Sequence, residues 1–265
     1  MSEHPIVAVR DLYAGYDGRP VVKHVSFDVM PGQILALIGG SGCGKSTVIR
    51  TLVGLLAPIA GKVRVFGEDP NALGDEQRVP LLRRMGMLFQ AGALLGSLTV
   101  GDNVALPLKE HTSLPDSVIR RIVESKLAMV GLQGAARLMP AELSGGMRKR
   151  ASLSRALALD PELLVCDEPS AGLDPIVAAG IDVILRRLQA ELHMTVLVVT
   201  HELMSVALIA DRVVMLHDGE VLAEGTVAEL QRSAVPRVRE FFARQPPNEP
   251  PADGSSLLAA LEGDA

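Results

Sequence analysis

Ile34-Leu35-Ala36-Leu37-Ile38 runs straight into Gly39-Gly40-Ser41-Gly42-Cys43-Gly44-Lys45-Ser46, followed by Thr47-Val48-Ile49. The continuous apolar run reads as a strand buried on both faces, the kind found inside a parallel sheet. The glycines let successive backbone N–H groups converge on one point. The helix that follows favours negative charge at its N-terminus. A G-x-x-x-x-G-K-S pattern between strand and helix is that of a phosphate-binding loop. In such a loop Lys45 neutralises the β- and γ-phosphates, the Ser46 hydroxyl suits Mg²⁺, and Thr47 can bond the α-phosphate.

A second buried run, Leu163-Leu164-Val165-Cys166, ends in Asp167-Glu168. Open α/β sheets bind ligands at the carboxyl ends of their strands, so Asp167 is placed to hold Mg²⁺ and Glu168 to polarise a hydrolytic water. Val196 to Val199 is a third buried run, ending next to His201. Other stretches alternate. Val25, Phe27 and Val29 form one strand and Val63 to Gly67 another, while Val213–Leu216, Asp218-Gly219 and Val221–Ala223 read as a hairpin. The stretch 91–160 is mostly helical in pattern. Thr99-Val100-Gly101-Asp102 reads as a helix start, and Asp160-Pro161 as the end of a helix begun near Gly146.

The 265 residues suffice for one large α/β domain with an inserted subdomain. Net charge is −5, with no Trp, two Tyr and five Phe; a general nucleic-acid binder shows a basic, aromatic footprint instead. The hydrophobic fraction is high, 48%, yet no run approaches the roughly 20 apolar residues of a membrane span. The start, Met1-Ser2-Glu3-His4, lacks a basic-then-apolar signal, and Cys43 with Cys166 provides no disulfide framework. These features predict a cytoplasmic protein.

Leu143-Ser144-Gly145-Gly146-Met147 is by itself a glycine turn capping a helix. Together with the two elements above it resembles the signature motif of ABC-type ATPases, with Met147 in place of the commoner Gln. Gln90 sits where that family has its Q-loop, Ser170-Ala171-Gly172-Leu173-Asp174 matches the D-loop, His201 matches the switch histidine, and Tyr16 lies where the family stacks an aromatic on adenine. The resemblance implies a RecA-like core with a mostly parallel sheet, an antiparallel β-subdomain and a helical subdomain at about 91–160. The ATPase domain would span 1–245. It also implies a head-to-tail homodimer binding two ATP with Mg²⁺. Each ATP would lie on one phosphate loop and against Ser144, Gly145, Gly146 and Asp174 of the other copy. Gln90 would join Ser46 and Asp167 around the metal, and Lys45, Gln90, Glu168 and His201 would serve catalysis.

Finer likeness lies in the helical part. Phe89-Gln90-Ala91-Gly92-Ala93-Leu94-Leu95, Asn103-Val104-Ala105-Leu106-Pro107-Leu108 and Asp174-Pro175-Ile176 look like Mla-type phospholipid transport ATPases of Gram-negative bacteria. That group implies a membrane permease, an MCE-domain lipid-binding subunit and a STAS-domain subunit as partners. It places the chain at the cytoplasmic face of the inner membrane, with the surface around Leu94–Val104 driving the permease. An importer of sterols or other solutes, and a non-transporting regulatory ATPase, remain as alternatives.

Three further readings concern single segments. Cys43, near Lys45 and a helix N-terminus, is expected to be a reactive thiol that Mg-ATP protects, and Cys166 an inert one. Arg148-Lys149-Arg150 reads as a solvated helix face. Arg237-Val238-Arg239-Glu240-Phe241-Phe242 resembles the start of the group's C-terminal extension. Beyond it, 246–265 reads as a flexible tail, with Leu257–Leu261 as an alternative amphipathic anchor.

Overall fold

The computed structural model describes residues 4–90 and 92–243; Ala91 and the tail with Leu257–Leu261 lie outside them. Strands β1 (Val7–Tyr16), β2 (Arg19–Val29) and β4 (Ala60–Val65) form a small antiparallel sheet, ordered β2-β1-β4. Strands β3 (Ile34–Gly39), β5 (Met85–Leu88), β6 (Leu163–Asp167), β7 (Thr195–Thr200), β8 (Arg212–His217) and β9 (Glu220–Gly225) form the large sheet, ordered β5-β6-β7-β3-β8-β9. Its strands are parallel except β9, which pairs antiparallel with β8.

The helices are α1 (Lys45–Leu52), α2 (Asp75–Arg83), α3 (Val100–His111), α4 (Asp116–Met129), α5 (Gly145–Ala156), α6 (Pro175–Leu192), α7 (Leu203–Ile209), α8 (Val227–Gln231) and α9 (Pro236–Ala243). Thus α3, α4 and α5 all lie between β5 and β6 in the chain. Thr99 caps α3, its hydroxyl accepting from Asp102 N at 3.1 Å, as the sequence predicts.

The continuous apolar runs are explained by the two faces of the large sheet. Successive side chains alternate sides, so Leu163, Val165, Leu197 and Val199 join one cluster with α1 and the small sheet. Their neighbours Leu164, Cys166, Val196 and Val198 join another with α3 to α6. Burying one such side chain contributes about 1.5–3 kcal/mol. The helices between β5 and β6 therefore share a core with the large sheet: Val104, Leu127 and Leu153 pack in the same cluster as Leu164 and Val198.

Two boundaries and one exposed surface differ from the sequence reading. The strand begun at Ala60 stops at Val65, because Phe66 and Gly67 turn with φ of 53° and 84°. Helix α5 stops at Ala156, and looser turns carry the chain to Asp160, where φ is 52°. Val100 and Val104, expected on a partner-facing surface, are fully buried, which leaves Leu95 as an exposed apolar residue of that stretch. The hairpin reading holds, with Asp218 and Gly219 both at positive φ between β8 and β9.

Candidate active site

Strand β3 is where the sheet order reverses direction, since β7 lies on one side of it and β8 on the other. The carboxyl edge at such a switch point is where open α/β sheets place ligands. A cavity of about 690 Å³ opens there. Its lining includes Gly39, Gly40, Ser41, Gly42, Gly44, Lys45, Ser46 and Thr47 from the loop and first turn of α1, with Gln90, Asp167, Glu168 and His201 from three other strand ends. Residues as distant in the chain as Gly39 and His201 thus meet because parallel strands deliver their ends to one edge.

Gly44 caps α1 with φ of 102°, and a Cβ there would come 2.2 Å from Val22 Cγ1. Only glycine fits that turn. Gly40 and Gly42 have open space where a Cβ would be. The first N–H groups of α1 lack intrahelical acceptors by helix geometry, and Lys45, Ser46 and Thr47 line the cavity. Lys45 is buried, its Nζ donating to the carbonyls of Gly39 at 2.9 Å and Gly40 at 3.0 Å.

Glu168 has φ of 49°, a left-handed conformation uncommon for a residue with a side chain. It is held from every side. Its N–H donates to Val199 O at 2.8 Å, and its carbonyl accepts from Lys149 Nζ at 2.9 Å and Ala171 N at 3.3 Å. Its Oε2 accepts from Thr200 Oγ1 at 3.2 Å, and its Oε1 lies 2.8 Å from His201 Nδ1. The neighbouring carboxyl of Asp167 is pushed above the usual aspartate range, first by burial and then by the charge of Glu168, against the pull of Lys45, Arg50 and Lys149. Such a carboxylate has reason to hold a cation. The Ser46 hydroxyl, Gln90 amide and Asp167 carboxylate are oxygen donors, the kind Mg²⁺ prefers.

Ser144, Gly145, Gly146, Asp174, Tyr16 and Cys43 are not among the described residues lining this cavity. Ser144 caps α5, its Oγ accepting from Met147 N at 3.3 Å, and is exposed. Asp174 caps α6 through bonds from Ile176 N and Val177 N. Tyr16 is 43% exposed, its hydroxyl accepting from Arg50 at 2.7 Å.

Two expectations are corrected. Cys43 is 7% exposed and packs in the core beneath the loop, with its Sγ 3.8 Å from Lys45 Nζ; burial withdraws it from reagents. Cys166 is fully buried, and its thiol is pushed far above its ordinary value by burial. The basic triplet is a solvated face only in part: Arg148 is exposed and Arg150 half-buried, whereas Lys149 is buried. Arg148 bonds Leu143 O at 2.7 Å, Arg150 bonds Gly131 O at 3.3 Å, and Lys149 is turned inward. Lys149, Thr200, Val21 and Phe241 are the site neighbours that sequence reasoning missed. Burial phase had marked Lys149, since it falls three residues after Gly146 and four before Leu153 on the inner face of α5.

Comparison with known proteins adds to this geometry. The family model described as ABC transporter matches residues 22–171. The chain is 43% identical over 237 residues to the intermembrane phospholipid transport system ATP-binding protein MlaF of Haemophilus influenzae, covering 89% of this chain and 90% of that one. It is 42% identical to MlaF of Escherichia coli K12, covering 89% and 88%. A solved ATP-binding cassette, in a dimeric post-hydrolysis state with ADP and Pi, superposes with a TM-score of 0.77 at 30% identity, covering 83% of this chain and 98% of that one.

Proposed function

Because this chain belongs to the ABC transporter ATPases, we propose that its ATP hydrolysis powers phospholipid movement between the inner and outer membranes of a Gram-negative envelope. The observation that carries the reading is the likeness to MlaF over 89% of the chain, in a protein whose phosphate loop, Asp167, Glu168 and His201 open into one cavity.

Phosphoryl transfer depends mainly on positioning and charge stabilisation. The N–H groups of residues 39–47 and the Lys45 ammonium receive the phosphates of ATP. Ser46, Gln90 and Asp167 hold Mg²⁺, which neutralises phosphate charge. Glu168 orients and deprotonates the attacking water, with His201 and Thr200 fixing its carboxylate. Tyr16 stacks on the adenine. A second copy of the chain completes the site head to tail. Its exposed Ser144, with Gly145 and Gly146, adds donors at the γ-phosphate only when the two copies close, and its Asp174 lies beside them.

The ATPase unit spans 1–245, with the helical subdomain at about 91–160. Beside Gln90 lies a groove of about 500 Å³ lined by Val79 and Leu82 of α2, Phe89, Leu106 and Pro107 of α3, and Arg155. Val79, Leu82 and Phe89 are exposed apolar residues. A helix of a membrane permease fits this groove, which lets Gln90 report nucleotide state to the membrane. Among the described residues no helix is long and apolar enough to cross a membrane; that permease holds the chain at the cytoplasmic face. An MCE-domain protein and a STAS-domain subunit complete the complex.

The test is Glu168→Gln expressed in the native host, purified from membranes with Mg-ATP and analysed by mass spectrometry. Co-purifying permease, MCE-domain protein, STAS subunit and phospholipid are expected. A polar-solute permease with a soluble binding protein would keep the catalytic roles and overturn the cargo.

A further inference from the structure

Lys149 is a buried charge without an ion pair among the described residues, 8% exposed on the inner face of α5. Its ammonium donates to two backbone carbonyls, Gln90 O at 2.5 Å and Glu168 O at 2.9 Å. These two carbonyls belong to different strand ends, yet to two residues that line the same cavity. Taking an ammonium out of water is costly, and an apolar side chain would fill the space at less cost. Charge-assisted hydrogen bonds are short and directional, so what the charge contributes here is a fixed geometry.

The geometry fixed is an unusual one. Glu168 keeps its left-handed backbone with its peptide groups tied to Val199 on one side and to Lys149 on the other. Turning that backbone out of the left-handed region would swing the carboxylate away from Thr200 and His201. The same helix grips the segment after Gln90 a second time. Arg155 donates to Ala93 O at 2.6 Å and Gly92 O at 3.1 Å. Gly92, at φ of 75°, lies so close to α5 that a Cβ would come 2.8 Å from Ser152 Oγ. The helix whose capped N-terminus faces outward as Ser144 is therefore tied to both Gln90 and Glu168 through one ammonium.

We propose that Lys149 is a positioning residue for hydrolysis, holding the backbones of Gln90 and Glu168 and the helix α5 in one frame. The proposal rests on Glu168 being the base. Lys149 is not among the described residues that line the cavity; it acts through Glu168, so its loss lowers turnover without weakening ATP binding.

The experiment is a double-mutant cycle on the full chain purified with its membrane partners. Lys149→Met, Lys149→Arg, Glu168→Gln and the double variant Lys149→Met with Glu168→Gln are compared by kcat, KM for Mg-ATP, equilibrium Mg-ATP binding and thermal midpoint. Misplacing a catalytic group by an ångström costs about 10²-fold. Lys149→Met is expected to lower kcat on the order of 10- to 100-fold, with Mg-ATP affinity nearly unchanged. Lys149→Arg, which keeps the donors, should restore much of that loss. In the Glu168→Gln background the Lys149 change should cost little more, because residues acting as a unit are non-additive. Parent kcat in Lys149→Met overturns the proposal. So does an additive cycle, or a kcat loss matched by an equal loss of Mg-ATP binding. If the methionine variant does not accumulate, Lys149→Gln, too short to span both carbonyls, takes its place in the cycle. Failure of the base assignment shows separately, as parent turnover in Glu168→Gln alone.

Discussion

Gly146 and Val177 touch so closely that a methyl group on Gly146 would lie 2.4 Å from Val177 Cγ1. This contact seats α5 on α6 within one chain, apart from any role Gly146 has toward a second copy. Overpacking of this kind costs about 1–3 kcal/mol. Gly146→Ala is expected to lower the thermal midpoint by roughly 2–10 °C, and Val177→Ala in the same chain to restore most of it. A midpoint that stays down in the double variant would show that the contact is not the cause.

Glu168 as general base predicts a turnover loss on the order of 10²–10⁴-fold for Glu168→Gln, with Mg-ATP binding retained. Thr200, fully buried and bonded both to Glu168 and to Glu202 N, predicts a smaller effect. Thr200→Val keeps the shape and removes both bonds, of which the one to the Glu168 carboxylate bears on turnover and is worth about 0.5–1.5 kcal/mol. Its kcat should fall roughly 2- to 12-fold at an unchanged KM. A change in KM alone would place Thr200 in binding instead.

Asp167 gives a pH prediction with a definite sign. Its carboxyl is raised above the ordinary value of 3.8 in the folded chain, chiefly by burial. The folded state therefore binds that proton more readily than the unfolded one. Stability falls as pH rises through the window above 3.8, and the cost persists at neutral pH. Asp167→Asn removes the ionisation, so in chelator its thermal midpoint should exceed the parent's at pH 7 and converge with it near about pH 4. A less stable variant at pH 7 would contradict this.

Tyr16 stands exposed with its hydroxyl on Arg50. If its ring receives the adenine, Tyr16→Ala should weaken Mg-ATP binding roughly 3- to 10-fold, the size of an aromatic stacking contribution. Tyr16→Phe should bind as the parent does. Equal weakening in both would assign the effect to the Arg50 hydrogen bond.

The strand ends that build the cavity were legible because their signals are local. The buried runs before Gly39, Asp167 and His201 announce parallel strands, and such strands deliver their ends to one edge. Lys149 was hidden by composition: a basic triplet on a helix looks solvated until the helix is phased against Gly146 and Leu153. The burial of Cys43 was equally out of reach, since sequence position alone does not say which way a loop side chain turns. The small sheet that covers it comes from strands 14–36 residues away on either side of the loop. Val100 and Val104 were misplaced for the converse reason: the surface that buries them belongs to helices and strands distant in the chain.

Helix α5 also sets a mechanical ratio. Its capped tip at Ser144 is five residues before Lys149 and its groove-side Arg155 six residues after, which at helix rise is about 7.5 Å and 9 Å. A rod pivoting at Lys149 has nearly equal arms. A partner that nudges the groove end by a given stroke thus returns almost the same stroke at the tip, with no gain. With a membrane partner seated in that groove as proposed, the helix would work as a balance beam rather than an amplifier, and the partner would itself have to supply a displacement as large as the one the nucleotide requires.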